Sequence, residues 1–459
     1  MKFTRLLIIF ILLETKVYSQ IHFKNCEETV NYALKNAQNY SLNLLYSQTA
    51  LKAAKLAISD FIPTLDFSFS EDDSVALNST DSKNKSISLN VNYKVFDGGK
   101  KLITYRMNKA EKFFQVKSSE INIDNFRSSV INQYYKCLLQ NILINIKDEL
   151  EKTTKFQLDI IEKEFQLGLS LENTYLEYLI SYKKILDEKR QAEREKRSQY
   201  RILKILLGMS PETDMILDNE ELDIIDYEIY LEPYTEVLWN LVKKNNPSIK
   251  KNEIAMYYQK QQYQYNQRFF VPELTFQGGI SFSGSDYPLN GPKYSAKVMI
   301  NFSNIPFMPS SVQNSYGLSN NGLKSINNSI SSSFTVTPDY FYNKRLTTVQ
   351  LQQTQQSYTD EMNKMYETFF NQIATYDDLL DSIYRLTETI NLEKRRISIS
   401  EKQVEKGEMK RIDLLKELIE LSEQKIQLEQ TKMNISSTCR TLEIMLCVPF
   451  GGLERCIKN

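Results

Sequence analysis

Two long stretches of the chain carry the apolar spacing of amphipathic helices and almost no helix-breaking residue. Residues 100–207 contain no proline and only one glycine, Gly168, and residues 343–448 contain no proline and only Gly407. Apolar side chains recur in both stretches at steps of three or four, the period of a helix with one buried face. Because glycine suits the left-handed turn at a helix end, we predict two helical hairpins that turn near Gly168 and Gly407.

Four shorter segments change to a period of two, with apolar residues alternating with serine, asparagine, threonine, glutamine or charged residues. They lie at about 63–70, 86–96, 272–283 and 293–303. This alternation predicts strands with one apolar and one polar face. A weaker pattern at about 329–337 leaves open which segment forms the fourth strand.

The order of these elements occurs twice, which indicates an internal duplication. Phe270-Val271-Pro272 follows Phe61-Ile62-Pro63 by 209 positions, whereas Gly407 follows Gly168 by 239. The extra 30 positions indicate an insertion, which we place at the polar residues 308–342, at the base of the strands. The predicted boundaries are a signal peptide at 1–19, a first repeat at 20–210, a linker at 211–234, a second repeat at 235–452 and a tail at 453–459.

The lengths of the elements suit a cell envelope. A helix over Lys100–Leu167 would reach roughly 100 Å, and the helices at Glu27–Phe61 and Leu169–Leu207 are each about half as long. Strands of about ten residues suit a tilted bilayer crossing. Four strands cannot close a membrane barrel, which needs about eight, and an open edge in lipid leaves backbone groups unpaired. We therefore predict that several chains share one barrel.

The N-terminus has the layout of a secretory signal. Lys2 and Arg5 precede the apolar run Leu6 to Leu13, and Val17-Tyr18-Ser19 forms a cleavage site before Gln20. Loss of residues 1–19 removes three basic residues and one acidic residue, so 54 basic residues face 56 acidic residues. This near-neutral balance provides no electrostatic basis for nucleic-acid binding.

Few residues suit catalysis or metal binding. The chain has one histidine, His22, and five cysteines without a CxxC pair. It has no phosphate-binding glycine loop, no GxSxG, no HExxH and no EF-hand pattern. We predict no catalytic residue, no metal site, no cofactor and no disulfide framework.

Two other interpretations remain open. The helices could form a generic antiparallel coiled coil capped by a small soluble sandwich, which would make a structural or adhesive periplasmic protein without channel activity. A secreted enzyme would need a site that the sequence does not display.

The order helix, proline-started strand, loop, strand, Phe-Asp-Gly-Gly, long helix, glycine, helix and Leu-Leu-Gly, followed by a second copy, resembles the TolC-like outer-membrane efflux proteins. The resemblance covers about Glu27 to Gly452. It implies a mainly α fold in which long helical hairpins form a periplasmic tunnel and four strands per chain join a trimeric 12-stranded barrel in the outer membrane. It also implies an inner-membrane pump and a periplasmic adaptor as partners, with drugs, other toxic small molecules or secreted proteins as cargo.

The resemblance also assigns roles to particular residues. Phe96, Asp97, Gly98 and Gly99 match the strand-to-helix turn of the family, and Ile305-Pro306-Phe307 resembles its second-half counterpart without the glycines.

The family narrows its periplasmic entrance with aspartates after the second hairpin glycine. Asp413 matches the first of these, Lys416 stands in place of the second, and Thr174 stands at the first-half equivalent. The resemblance therefore implies a single acidic ring from Asp413 as a candidate gate, beside the alternative of an ordinary exposed carboxylate.

Overall fold

The computed structural model describes residues 21–56, 58, 61–74, 82–217, 229–268, 270–302, 305, 308–319, 322, 324–334 and 338–458. The predicted signal peptide, residues 1–19, lies outside the described residues. The first repeat contains β1 (Ile21–Phe23), α1 (Cys26–Asn36), α2 (Gln38–Leu56), β2 (Thr64–Ser74), β3 (Ser82–Phe96), α3 (Lys100–Gln166), α4 (Glu172–Leu206) and β4 (Met215–Leu217). A 3₁₀ turn (Glu232–Tyr234) precedes α5 (Thr235–Asn245), α6 (Pro247–Gln267), β5 (Glu273–Gly284), β6 (Lys293–Phe302), β7 (Ser310–Leu318), β8 (Lys324–Ser332), α7 (Pro338–Glu405), α8 (Arg411–Leu446) and α9 (Leu453–Lys458).

The chain divides into two compact units. The helical unit comprises the chain up to Tyr46, Ser119–Asn246 and Met365 onward, and so contains both hairpin turns. The sheet unit comprises Ser47–Ser118 and Pro247–Lys364, and so contains β2, β3 and β5 to β8. The prediction of a mainly α chain with long helical hairpins and a group of antiparallel strands is confirmed.

The first predicted helix is wrong as a single element. Glu27–Phe61 is broken at Ala37, whose ψ of 121° is extended, so that α1 ends at Asn36 and α2 begins at Gln38. The second repeat breaks at the equivalent Asn246, where ψ is 118°. Pro247 accounts for that break, because proline disfavours helix in the residue before it. The first repeat has no proline there, but Gly208, which follows α4, lies so close that a Cβ on it would be 2.8 Å from the Asn36 carbonyl oxygen.

The predicted linker at 211–234 begins with an unpredicted strand. β4 pairs in parallel with β1, with Ile21 beside Met215 and Phe23 beside Leu217. Phe23, Met215 and Leu217 of this two-stranded sheet belong to a buried cluster in the helical unit. The fully buried members of that cluster include Phe23, Tyr134, Cys137, Leu203 and Leu207.

The sheet has six antiparallel strands in the order β2-β3-β5-β6-β7-β8, rather than the four predicted. The additional hairpin β7–β8 comes from the predicted insertion at 308–342. Its strand β7 pairs with β6, and β8 with β7, in continuous register. The parts of the predicted insertion at Ser310–Leu318 and Lys324–Ser332 therefore lie in the sheet and not at its base. The alternation in β7 and β8 is weak because small and amide side chains occupy most of their positions.

The second strand-to-helix transition was also misplaced. The next described element after Ile305 is β7 rather than a helix, and Pro306 and Phe307 lie outside the described residues. The long helix begins at Pro338, five positions before the predicted start at Asn343. Proline suits the first position of a helix, because the N–H that it lacks has no partner within the helix there.

No helix in the described ranges is long and apolar enough to cross a membrane. The five cysteines are present as thiols. Burial raises the pKa of Cys137 to about 12, which makes it an unreactive apolar residue.

Candidate functional site: hairpin turns and sheet faces

Each hairpin turns on a glycine in the left-handed conformation. Gly168 has φ +72° and Gly407 has φ +77°, and a Cβ placed on either would meet no atom within 4 Å. The Leu169 N–H donates to Glu164 O at 2.8 Å, and the Glu408 N–H donates to Gln403 O at 2.9 Å. Backbone conformation, rather than space, therefore requires glycine at both turns.

The two turns differ in surface chemistry. Leu167, Leu169 and Leu171 leave 74%, 78% and 76% of their side chains exposed around Gly168. The turn around Gly407 carries Lys406, Glu408 and Lys410 instead. One turn therefore presents an apolar surface, and the other presents a charged one.

Arg411, at the start of α8, joins the two hairpins. Its Nη1 donates to Gln157 Oε1 at 2.8 Å and its Nη2 to Glu164 Oε1 at 3.1 Å, both on α3. Sequence reasoning missed this residue, because no local pattern shows which helix lies beside α8.

A buried apolar cluster lies between the same helices. It joins α3, α4 and α8 through six buried residues: Leu150, Leu158, Ile161, Tyr178, Ile185 and Leu415. Burial raises the pKa of Tyr178 above its ordinary value, while the nearby Arg411 acts to lower it. The phenol therefore stays neutral, and the hairpins are joined by packing as well as by polar contacts.

The predicted gate residue Asp413 lies in the first turn of α8. Its carboxylate pairs with Lys416 Nζ at 3.3 Å, and its side chain is 45% exposed. The lysine that replaces the second acidic position of the family therefore partly neutralises the first. The gate role of Asp413 stays a prediction.

The Phe96-Asp97-Gly98-Gly99 turn starts α3 by a side-chain cap. Asp97 is buried, and its carboxylate accepts from the Gly99 N–H at 3.2 Å and the Lys101 N–H at 2.8 Å. Tyr265 OH donates to the Asp97 carbonyl at 3.0 Å. A Cβ on Gly98, which has φ +68°, would lie 2.0 Å from Val271 Cγ1. The Tyr265 hydrogen bond and the close packing of Gly98 on Val271 therefore hold the turn against the segment that leads into β5.

The sheet has one polar and one apolar face across its full width. One cross-strand row, which carries only polar side chains, contains Thr64, Asn92, Gln277, Lys297, Ser315 and Asn327. The neighbouring row, which carries only apolar or small residues, contains Leu65, Val91, Gly278, Ala296, Tyr316 and Ile326.

The apolar face is not covered by any part of the chain that the structure describes. Phe67 on β2 is 70% exposed, and Leu89 and Ile280 beside it are each 39% exposed. Such a continuous apolar surface marks a site of contact with a membrane or with another protein. On the polar face, hydroxyl pairs such as Ser68 with Ser88 at 2.6 Å and Ser311 with Ser331 at 2.6 Å join neighbouring strands.

The helical unit also holds a cleft whose lining includes two buried charged residues, Arg440 and Glu443. Burial raises the pKa of Glu443, while backbone donors at Gly451, Gly452 and Leu453 and the charge of Arg440 act to lower it. Glu443 thus anchors the turn that leads into α9. Among the residues that the structure describes, no group of three histidine, cysteine, aspartate or glutamate side chains could hold a metal ion.

Comparison with known proteins identifies the fold. No protein-family model and no characterised protein sequence matches the chain. Among solved structures, the CmeC outer membrane channel of Campylobacter jejuni matches with 16% identity and a TM-score of 0.69, over 92% of this chain and 85% of that one. The outer membrane protein VceC of Vibrio cholerae matches with 13% identity and a TM-score of 0.69, over 92% and 94%. The outer-membrane channel OprN matches with 13% identity and a TM-score of 0.72, over 93% and 90%. The duplicated hairpins and the two-faced sheet of this chain are therefore those of the TolC-like outer-membrane channel fold.

Proposed function

We propose that this chain is the outer-membrane exit duct of a tripartite efflux or type I secretion system. Three copies would form a channel that conducts small molecules or proteins passively from the periplasm to the outside. The observation that carries the proposal is the sheet, because its apolar face requires lipid and its polar face suits a water-filled lumen. The fold likeness to outer-membrane channels supports the same function.

Energy for transport would come from partners. An inner-membrane pump would supply it and a periplasmic adaptor would connect the two. The exposed leucines at 167, 169 and 171 form an apolar surface that suits a helical adaptor tip. The contacts of Arg411 with Gln157 and Glu164 would hold the hairpins in a closed arrangement that docking releases.

The experiment is heat-modifiable migration of the full chain extracted from outer membranes in detergent. A species near three times the monomer mass that collapses on boiling supports a membrane-embedded trimer. Membranes washed with carbonate should retain the protein.

A structural or adhesive coiled-coil protein would be released by the carbonate wash. Release as a stable soluble monomer would contradict the proposed duct, since Leu65 and Phe67 would then have to pack inside one subunit. In the structure these side chains are 67% and 70% exposed.

A further inference from the structure

The sheet ends in two edge strands, and the chain offers neither edge a partner within its described residues. β2 pairs only with β3, and β8 pairs only with β7. An edge left open in lipid costs several kcal/mol for each unsatisfied backbone group. Six strands are also too few to close a membrane barrel, because such barrels start at about eight.

We infer that β8 of one copy pairs with β2 of the next, so that three copies of six strands close an eighteen-stranded barrel. The inference rests on the proposed trimeric duct and changes the size of its pore. It replaces the twelve strands that four per chain would give.

The hairpin β7–β8 belongs to the wall because it continues both faces of the sheet. Ser315 and Asn327 extend the polar row, and Tyr316 and Ile326 extend the apolar row. The register from β6 through β7 to β8 runs without a shift. A hairpin that plugged the pore or lay outside the barrel would not need polar and apolar faces that match those of the sheet.

Apolar side chains on the two edge strands are more exposed than those on the inner strands. Along the apolar face, Phe67 on β2 and Ile330 on β8 are 70% and 80% exposed. Side chains on inner strands are less exposed, at 39% for Leu89 and 37% for Val312. The edge side chains lack a neighbour on one side, which a further strand would supply.

Strand direction and charge also suit this pairing. β2 and β8 run in opposite directions within the sheet, so an edge-to-edge contact between copies is antiparallel, as in the rest of the sheet. That contact places Lys324, which begins β8, near the end of β2 that carries Asp72 and Asp73. Opposite charges at one rim favour this arrangement over pairing of two identical edges.

The consequence concerns cargo size. With strands about 4.8 Å apart and tilted by about 40°, eighteen strands give a backbone diameter of roughly 36 Å, against roughly 24 Å for twelve. Barrels of 16–18 strands leave an aqueous channel. The outer-membrane part of this duct would therefore admit bulky cargo, such as polypeptide segments or large conjugates.

Electron cryo-microscopy of the full-length trimer in lipid nanodiscs counts the strands directly, and eighteen are expected. A trimer with a twelve-stranded wall and β7–β8 outside it would overturn the inference and leave the proposed duct intact. A soluble monomer would overturn the proposed function itself. The two failures are therefore distinguishable.

Cysteine pairs test the contact between copies. Ser68→Cys on β2, combined in turn with Asn327→Cys, Ser329→Cys and Ser331→Cys on β8, should give dimers and trimers crosslinked between copies on oxidation. Ser68→Cys with Ser88→Cys is the matched control, because those hydroxyls lie 2.6 Å apart in one chain and should crosslink only within it. Absence of crosslinks between copies at every β8 position, under conditions that oxidise the control pair, would contradict the inference.

Charge substitutions test whether β8 faces lipid. Ile330→Arg should lower the heat resistance of the trimer, because it places a charge on the lipid face, whereas Ser329→Arg on the lumen face should leave it intact. Equal tolerance of both substitutions would show that β8 lies outside the wall.

Discussion

Arg411 donates a hydrogen bond from Nη2 to Glu164 Oε1 at 3.1 Å, although the two residues lie 247 positions apart in the chain. The contact joins the second hairpin to the first within one chain. Because guanidinium–carboxylate bonds are strong and directional, it biases the relative position of the two hairpins.

Arg411→Gln should loosen this link and raise the open fraction of the channel. A partly exposed charge-assisted contact of about 1 kcal/mol corresponds to roughly a fivefold shift. Single-channel recording in planar bilayers measures it. Arg396→Gln is the matched control, since Arg396 contacts Glu417 and Glu420 inside the second hairpin only. An equal effect of both substitutions would contradict a specific link between hairpins.

Asp413→Asn should reduce the preference of the channel for cations if three copies of this carboxylate line the entrance. Lys416→Gln should have the opposite effect, because it removes the cation that lies 3.3 Å from Asp413. Reversal potentials in a salt gradient report both changes. Unchanged selectivity in the two variants would leave Asp413 an ordinary surface carboxylate.

Gly98→Ala should destabilise the strand-to-helix turn by more than Gly99→Ala. Both glycines have positive φ, but only at Gly98 would a Cβ collide with Val271 Cγ1, at 2.0 Å, and at Gly99 it would meet nothing within 4 Å. The expected costs are about 1 kcal/mol for Gly99→Ala and about 2–4 kcal/mol for Gly98→Ala. The temperature at which the trimer dissociates on gels ranks the two. Adding Val271→Ala to Gly98→Ala should recover part of the loss, and failure to do so would exclude the clash as its cause.

Cys447→Gly should stabilise the chain, and Gly208→Ala should destabilise it. Both residues follow the last helix of their repeat in the left-handed conformation, with φ of 57° and 71°. Glycine relieves about 1–2 kcal/mol of strain at such a position. At Gly208 an added Cβ would also lie 2.8 Å from the Asn36 carbonyl oxygen, so that substitution costs more. Thermal unfolding monitored by circular dichroism tests both, and no gain for Cys447→Gly would contradict the assigned strain.

Glu443 should make stability depend on pH. Because burial raises its pKa in the folded chain, the folded state holds the proton more tightly than the unfolded state does. This contribution is therefore full at low pH and is lost as the pH rises from about 4.3 through the raised pKa. Unfolding midpoints from pH 4 to 8 should fall more steeply for the native chain than for Glu443→Gln. Parallel curves would show that Glu443 titrates normally.

The parts of the fold that depend on residue types close together in the sequence could be predicted from the sequence. The hairpins depend on long runs without proline and on Gly168 and Gly407, which any reader of the sequence can find. The break at Ala37 has no such signal, because Gly208, which lies beside it, is distant in the sequence and approaches Asn36 only in the folded chain.

The predicted number of strands was wrong because the added hairpin has no clear local pattern. In β7, Gln313, Asn314 and Gly317 weaken the contrast between the two faces, so the alternation is visible only once the strand lies beside β6. The role of Arg411 could not be predicted, because its partners are determined by how the helices pack. The Phe96-Asp97-Gly98-Gly99 turn could be predicted, because its own residues define it.

The hairpin β7–β8 leaves the orientation of the following helix unchanged, because the chain goes out on one strand and comes back on the next. In the proposed duct, one added strand would deliver α7 to the opposite side of the membrane, away from its partner helices. The pore of such a duct can therefore widen only in pairs of strands per subunit, which means six at a time in a trimer. In the proposed duct, each such step adds strands without adding or removing a helix, so the pore can widen without a change in the helices proposed to dock the pump.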